Sequence, residues 1–141
     1  MRRLLALAVA LVVLPACGGK LFRNDHRIEI LQPRKYATVD QPLTVRWQAK
    51  DFAAPDDGHF LVLVDRDPMP PGETLTYFRR NRLDIYQVDA TTFTVDVFTP
   101  HVGANSTERN RHDVTVVLLD RDGRRIGESA GFVEFTVRRP D

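Results

Sequence analysis

His26, His59, His101 and His112 are the four histidines of this chain, and no two stand at close metal-ligand spacing. His101 and His112 fall beside one long connection between apolar runs. Two imidazoles alone make a weak site, so no metal is expected from them. Asp56 and Asp57 precede one apolar run, and Asp120 and Asp122 follow another. Calcium takes oxygen ligands of this kind. Asp57-Gly58 and Asp122-Gly123 are also turn formers that want aspartate for backbone reasons, and that reading is preferred. No cofactor is expected. Ser106 and Ser129 lie outside any Gly-x-Ser-x-Gly context, so nothing marks a nucleophile and its base, and the chain is read as non-enzymatic. Residues 67–82 join Pro68-Met69-Pro70-Pro71 to Tyr77, Phe78, Arg79, Arg80 and Arg82. Aromatic and arginine side chains are enriched where proteins meet partners. A long connection in a compact domain often carries function. Those last five residues are therefore the candidate partner-binding set. The alternative is that Leu75 and Phe78 cap the domain edge and the arginines are only solvated.

Cys17 is the one cysteine, so the chain has no internal disulfide. Arg2 and Arg3 stand in front of an unbroken apolar run over residues 4–14, and Pro15-Ala16 comes next. A basic segment, a short apolar segment and a small residue form the pattern of a cleaved export signal. A membrane-spanning helix would need roughly 20 apolar residues, and this run is much shorter. Leu14-Pro15-Ala16-Cys17 resembles the lipobox of bacterial lipoproteins. The resemblance implies that residues 1–16 are a signal peptide and that Cys17 is acylated as the mature N-terminus. It also implies an anchor in the cell membrane or outer membrane, facing the extracytoplasmic side. Residues 17–27 are then a lipidated cysteine and a short tether. Ten residues reach at most about 35 Å, so the domain sits near the bilayer.

The remainder is the size of one ordinary domain. Formal charge is +1, from 20 basic and 19 acidic residues, and there is no global basic field of the kind nucleic acid selects. From Ile28 onward the pattern is strand after strand. Residues 43–49 alternate strictly, with Leu43, Val45, Trp47 and Ala49 on one face. Residues 60–64 are continuously apolar, 114–119 are apolar but for Thr115, and both read as strands covered on both faces. Further strands are expected at 28–30, at 83–88, and at 92–97 with Phe93, Val95 and Val97 inward. A last one carries Val133, Phe135 and Val137. Residues 73–78 suit one helical turn. Asp122-Gly123 is a hairpin signal.

Pro42-Leu43-Thr44-Val45-Arg46-Trp47 resembles the second strand of fibronectin type III and related sandwiches. Residues 112–119, 120–123 and 132–137 are similar to the last hairpin of that superfamily. The resemblance implies an all-β fold, an immunoglobulin-like antiparallel sandwich of about seven strands over residues 28–138. Residues 60–72 also resemble exported bacterial proteins of no assigned activity. In that topology the first strand begins at the end that holds the Asp57-Gly58 and Asp122-Gly123 turns. The connections 67–82 and 99–111 are expected mainly at the opposite end, facing away from the membrane. The reading is a lipid-anchored binding or structural module for an envelope protein or cell-wall ligand. A metal- or calcium-binding envelope protein is the alternative, and a small enzyme comes third.

Overall fold

The computed structural model describes residues 27–78, 82–105 and 107–139. The signal segment, Cys17, most of the tether, His26, Arg79, Arg80 and Ser106 lie outside them. Strands β1 (Ile28–Gln32), β3 (Leu43–Ala49) and β6 (Thr92–Val95) form one sheet in the order β1-β3-β6. Strands β2 (Thr38–Val39), β4 (His59–Val64), β5 (Ile85–Val88), β7 (Arg111–Leu119) and β8 (Arg125–Val137) form the other, in the order β2-β8-β7-β4-β5. All pairs are antiparallel except β2 with β8. Two packed antiparallel sheets with this strand order make an immunoglobulin-like β-sandwich.

The alternating face of β3 does what its pattern requires. Val45 and Trp47 are buried, while Thr44, Arg46 and Gln48 are exposed. Trp47 meets Phe60 of the facing sheet edge-on at 5.5 Å between ring centres. Phe60, Val62 and Val64 of β4 join Val114, Val116 and Leu118 of β7 in this inter-sheet core.

The remaining residues of the two central strands, Leu61 and Leu63 with Val117 and Leu119, point the other way into a second core. That core is roofed by the connection after β4. Met69 is fully buried there, and Leu75, Phe78 and Ile85 pack at its margin. Burying one such side chain contributes roughly 1.5–3 kcal/mol, enough to hold a long connection against the sheet. Arg125 fastens the roof from below. Its buried guanidinium donates to the Met69 carbonyl and to the Glu128 carbonyl.

Some strand limits differ from the sequence expectation. β6 ends at Val95 because its partner β3 begins at Leu43, paired with Val95. Val97 therefore has no ladder and is exposed rather than inward. Leu83 lies before β5 and is also exposed. The helical turn is a 3-10 turn over Leu75–Phe78. Eight strands are present among the described residues, the addition being the two-residue β2.

Two glycines allow close approach. Gly58 has φ +142°, and a Cβ there would lie 2.0 Å from the Leu119 carbonyl oxygen. At Gly131 a Cβ would lie 2.6 Å from Ile28 Cγ2, so the sheets meet there without a side chain between them.

Candidate functional site

The chain leaves β4 at Val64 and turns at Asp65, whose backbone is left-handed with φ 53°. Aspartate tolerates that region better than most residues. The β4–β7 register pairs Val64 with Val114, which brings Asp65 alongside Asp113. The Asp65 amide donates to the Asp113 carbonyl at 3.0 Å. The Asp113 amide donates to Asp65 Oδ1 at 2.9 Å. The other carboxylate oxygen, Oδ2, accepts from His112 Nδ1 at 2.7 Å.

His112 shares the inward face of β7 with Val114, Val116 and Leu118, because a strand has a period of two. Its side chain is 0% exposed. One neighbour is the Phe98 ring at 5.1 Å, and the other is the His101 ring at 4.9 Å and 33°. Nδ1 carries the proton given to Asp65. The other nitrogen, Nε2, is buried with no hydrogen-bond partner among the described residues.

His101 comes from the connection between β6 and β7. Asn105 folds that connection back, its Oδ1 accepting from the amides of Thr107 and Glu108 at 3.1 and 2.9 Å. The His101 amide then reaches the Arg109 carbonyl at 3.0 Å. Arg139 ties the start and finish of the connection, donating to the Phe98 carbonyl and to Asn110 Oδ1. His101 Nε2 donates to the Arg111 carbonyl at 2.8 Å and stands 3.9 Å from Asp65 Oδ1. One ligand-type atom from each of Asp65, His101 and His112 lies within 4.8 Å of the other two.

Carboxylates crowd this group. Asp113 points to the outer face of β7, and its pKa is raised to about 6. Burial is the largest cause, and the negative charges of Asp65, Asp67 and Glu134 add to it, while His101 acts the other way. Arg111 lies 3.2 Å from Glu134 and offsets part of the charge. Two hollows meet here. One of about 570 Å³ is lined by Asp65, Asp67, Phe78, Asp84, Val97, His101 and Val102 among others. A second of about 450 Å³ is lined by Asp67, His101, Glu108, Arg111, His112, Asp113, Phe132 and Glu134.

The sequence brought His101 and His112 to one connection but did not bring Asp65 to them. Its only signal was position, directly after the apolar run of β4. Using that signal needs the β4–β7 register, which no local pattern states.

The other candidates are spread out. The Asp57 and Asp120 turns do share one end, where the Arg121 guanidinium donates to the Asp56 carbonyl. There Asp57 Oδ2 accepts from the Ala53 amide, and Asp120 Oδ1 accepts from the amides of Asp122 and Arg124. Two of the four carboxylates thus serve their own turns. Tyr77 and Phe78 stack edge-on at 5.4 Å. Tyr77 is exposed, Phe78 packs on the roofed core, and Arg82 is exposed. The 67–82 connection is not confined to the end opposite the turns. Gly72 and Glu73 bond the backbone of Arg125, and Thr74 bridges Arg124 beside the Asp122-Gly123 turn. It crosses to that end and returns, because the apolar outer faces of β4 and β7 must be covered.

No family model matches the chain, and no curated protein matches it. Among solved structures the chain is similar to the fibronectin(III)-like modules of Clostridium thermocellum CbhA. Identity is 11%, the match covers 81% of this chain and 99% of that chain, and the TM-score is 0.46. The fold class stands on the strand order and packing described above.

Proposed function

We propose that this chain is a lipid-anchored extracytoplasmic lipoprotein whose sandwich is a non-enzymatic binding or structural module of the cell envelope. Residues 1–16 are removed, Cys17 carries the lipid, and residues up to Arg27 tether the domain in the cell membrane or outer membrane. The observation that supports this best is the polarity of the sandwich. The chain runs into β1 at the end of Lys50, whose amide bonds the Arg27 carbonyl. Exposed apolar side chains gather at the other end. Val97 and Val102 are 70% and 99% exposed and line one hollow with Phe78 and Asp84. Leu83, 73% exposed, precedes Asp84. Grouped apolar exposure of this kind marks interaction surfaces on soluble domains.

The ligand on this reading is an envelope protein or cell-wall component, taken by this rim together with Tyr77, Phe78, Arg79, Arg80 and Arg82. The test is fractionation. Cys17→Ser is expected to move the protein out of the membrane fraction or leave the precursor uncleaved, because stable anchoring takes more than one acyl chain. A membrane-bound protein with an unmodified Cys17 by intact mass would contradict the proposal.

A further inference from the structure

We propose that Asp65, His101 and His112 form a binding site for one divalent late first-row transition ion of the zinc class. This goes beyond the anchored-module reading and does not depend on it. The ligands are one Asp65 carboxylate oxygen, His101 Nε2 and His112 Nδ1. Two imidazoles and one carboxylate are a donor set for zinc, copper or nickel, not for calcium or magnesium, which want oxygen throughout. Three protein ligands leave a fourth position for water.

The geometry is close to what such an ion needs. Metal–ligand bonds of about 2.0–2.2 Å put tetrahedral donors roughly 3.3–3.6 Å apart. The ligand atoms here all lie within 4.8 Å of one another, with His112 Nδ1 2.7 Å from Asp65 Oδ2 and His101 Nε2 3.9 Å from Asp65 Oδ1. Two of the three ligands are already fixed: Asp65 by the Asp113 amide and His112 by its burial among Phe98 and His101. His101 is the ligand that must adjust. Its side chain is 42% exposed; on ligating, it gives up its bond to the Arg111 carbonyl and its ring proton moves from Nε2 to Nδ1. The surroundings suit a cation, since Asp67, Asp113 and Glu134 ring the site and Arg111 is held by Glu134.

The fully buried His112 has a place to put its ring proton when Nδ1 is taken, since its Nε2 has no hydrogen-bond partner among the described residues. When the ion takes Nδ1, the ring proton moves from Nδ1 to Nε2 and the Asp65 oxygen is freed for the metal. Loading therefore switches the tautomer of both rings, and the buried His112 ring reports it.

The probe is Zn²⁺ alone, titrated into the metal-stripped full chain. One ion per chain is expected, with His101→Ala weakening it at least about tenfold. His101 is the residue to change, because its exposure makes the variant foldable. His59→Ala, at the other end of β4, is the control and should leave affinity unchanged. The nitrogen shifts of His112 should report Nδ1–H before zinc and Nε2–H at saturation. Unchanged affinity in His101→Ala, lost affinity in His59→Ala, or a His112 tautomer indifferent to zinc would each overturn the site.

Discussion

Asp113 shows how one carboxyl can cost a fold stability. Its amide is spent on Asp65, and its side chain sits part-buried among Asp65, Asp67 and Glu134, with His101 acting the other way and Arg111 paired to Glu134. The folded pKa of about 6 lies above the ordinary 3.8. The folded state thus binds this proton more tightly than the unfolded one. In that case the penalty is full above pH 6 and vanishes as pH falls below the unfolded value. Asp113→Asn is therefore expected to raise the melting temperature of chelator-treated protein at about pH 8, with the gain disappearing near about pH 4. A gain that is equal at both would show that charge is not the cause. Trp47 is the opposite case, a residue whose burial holds the sheets together. Trp47→Ala should cost about 3–5 kcal/mol in denaturant unfolding. The intact protein should show blue-shifted emission, and water-like emission would contradict its place against Phe60.

Among the elements, the central pair β4 and β7 organises everything else. Their continuous apolar runs were legible in the sequence, and so was their coverage on both faces. What covers the outer face was not legible, because residues 67–82 have no period and reach Met69 into place through long-range packing. The end of β6 was hidden for a related reason. Alternation runs on to Val97, but the pairing strand begins at Leu43, and a ladder stops where its partner does. Met69→Ala should cost about 2–5 kcal/mol, as for other buried methionines. Arg125→Met, which keeps bulk but removes the donors to Met69 and Glu128, should expose residues 67–82 to limited proteolysis before the sheets unfold. Cleavage no faster than in the unchanged protein would show that the roof does not need its strut.

At the scale of the molecule, the sandwich has two unlike ends. One receives the chain at Arg27 and holds the Asp57 and Asp120 turns, locked by Arg121. The other holds Asp65, His101 and His112 beside the exposed Val97 and Val102. The separation of these ends follows from antiparallel strand order and was legible once the strands were placed. The meeting of Asp65 with the two histidines was not, because it depends on register across strands some fifty residues apart in sequence. On the proposed anchored-module reading, the far end faces away from the membrane and binds the partner. Site-specific photo-cross-linking in intact cells that express the full chain tests this. A cross-linker at Val102 is expected to capture a discrete envelope component, and alanine at Tyr77 and Phe78 should reduce that capture. A cross-linker at Asp122 should give lipid adducts only. Capture of the component from Asp122, with none from Val102, would contradict the account.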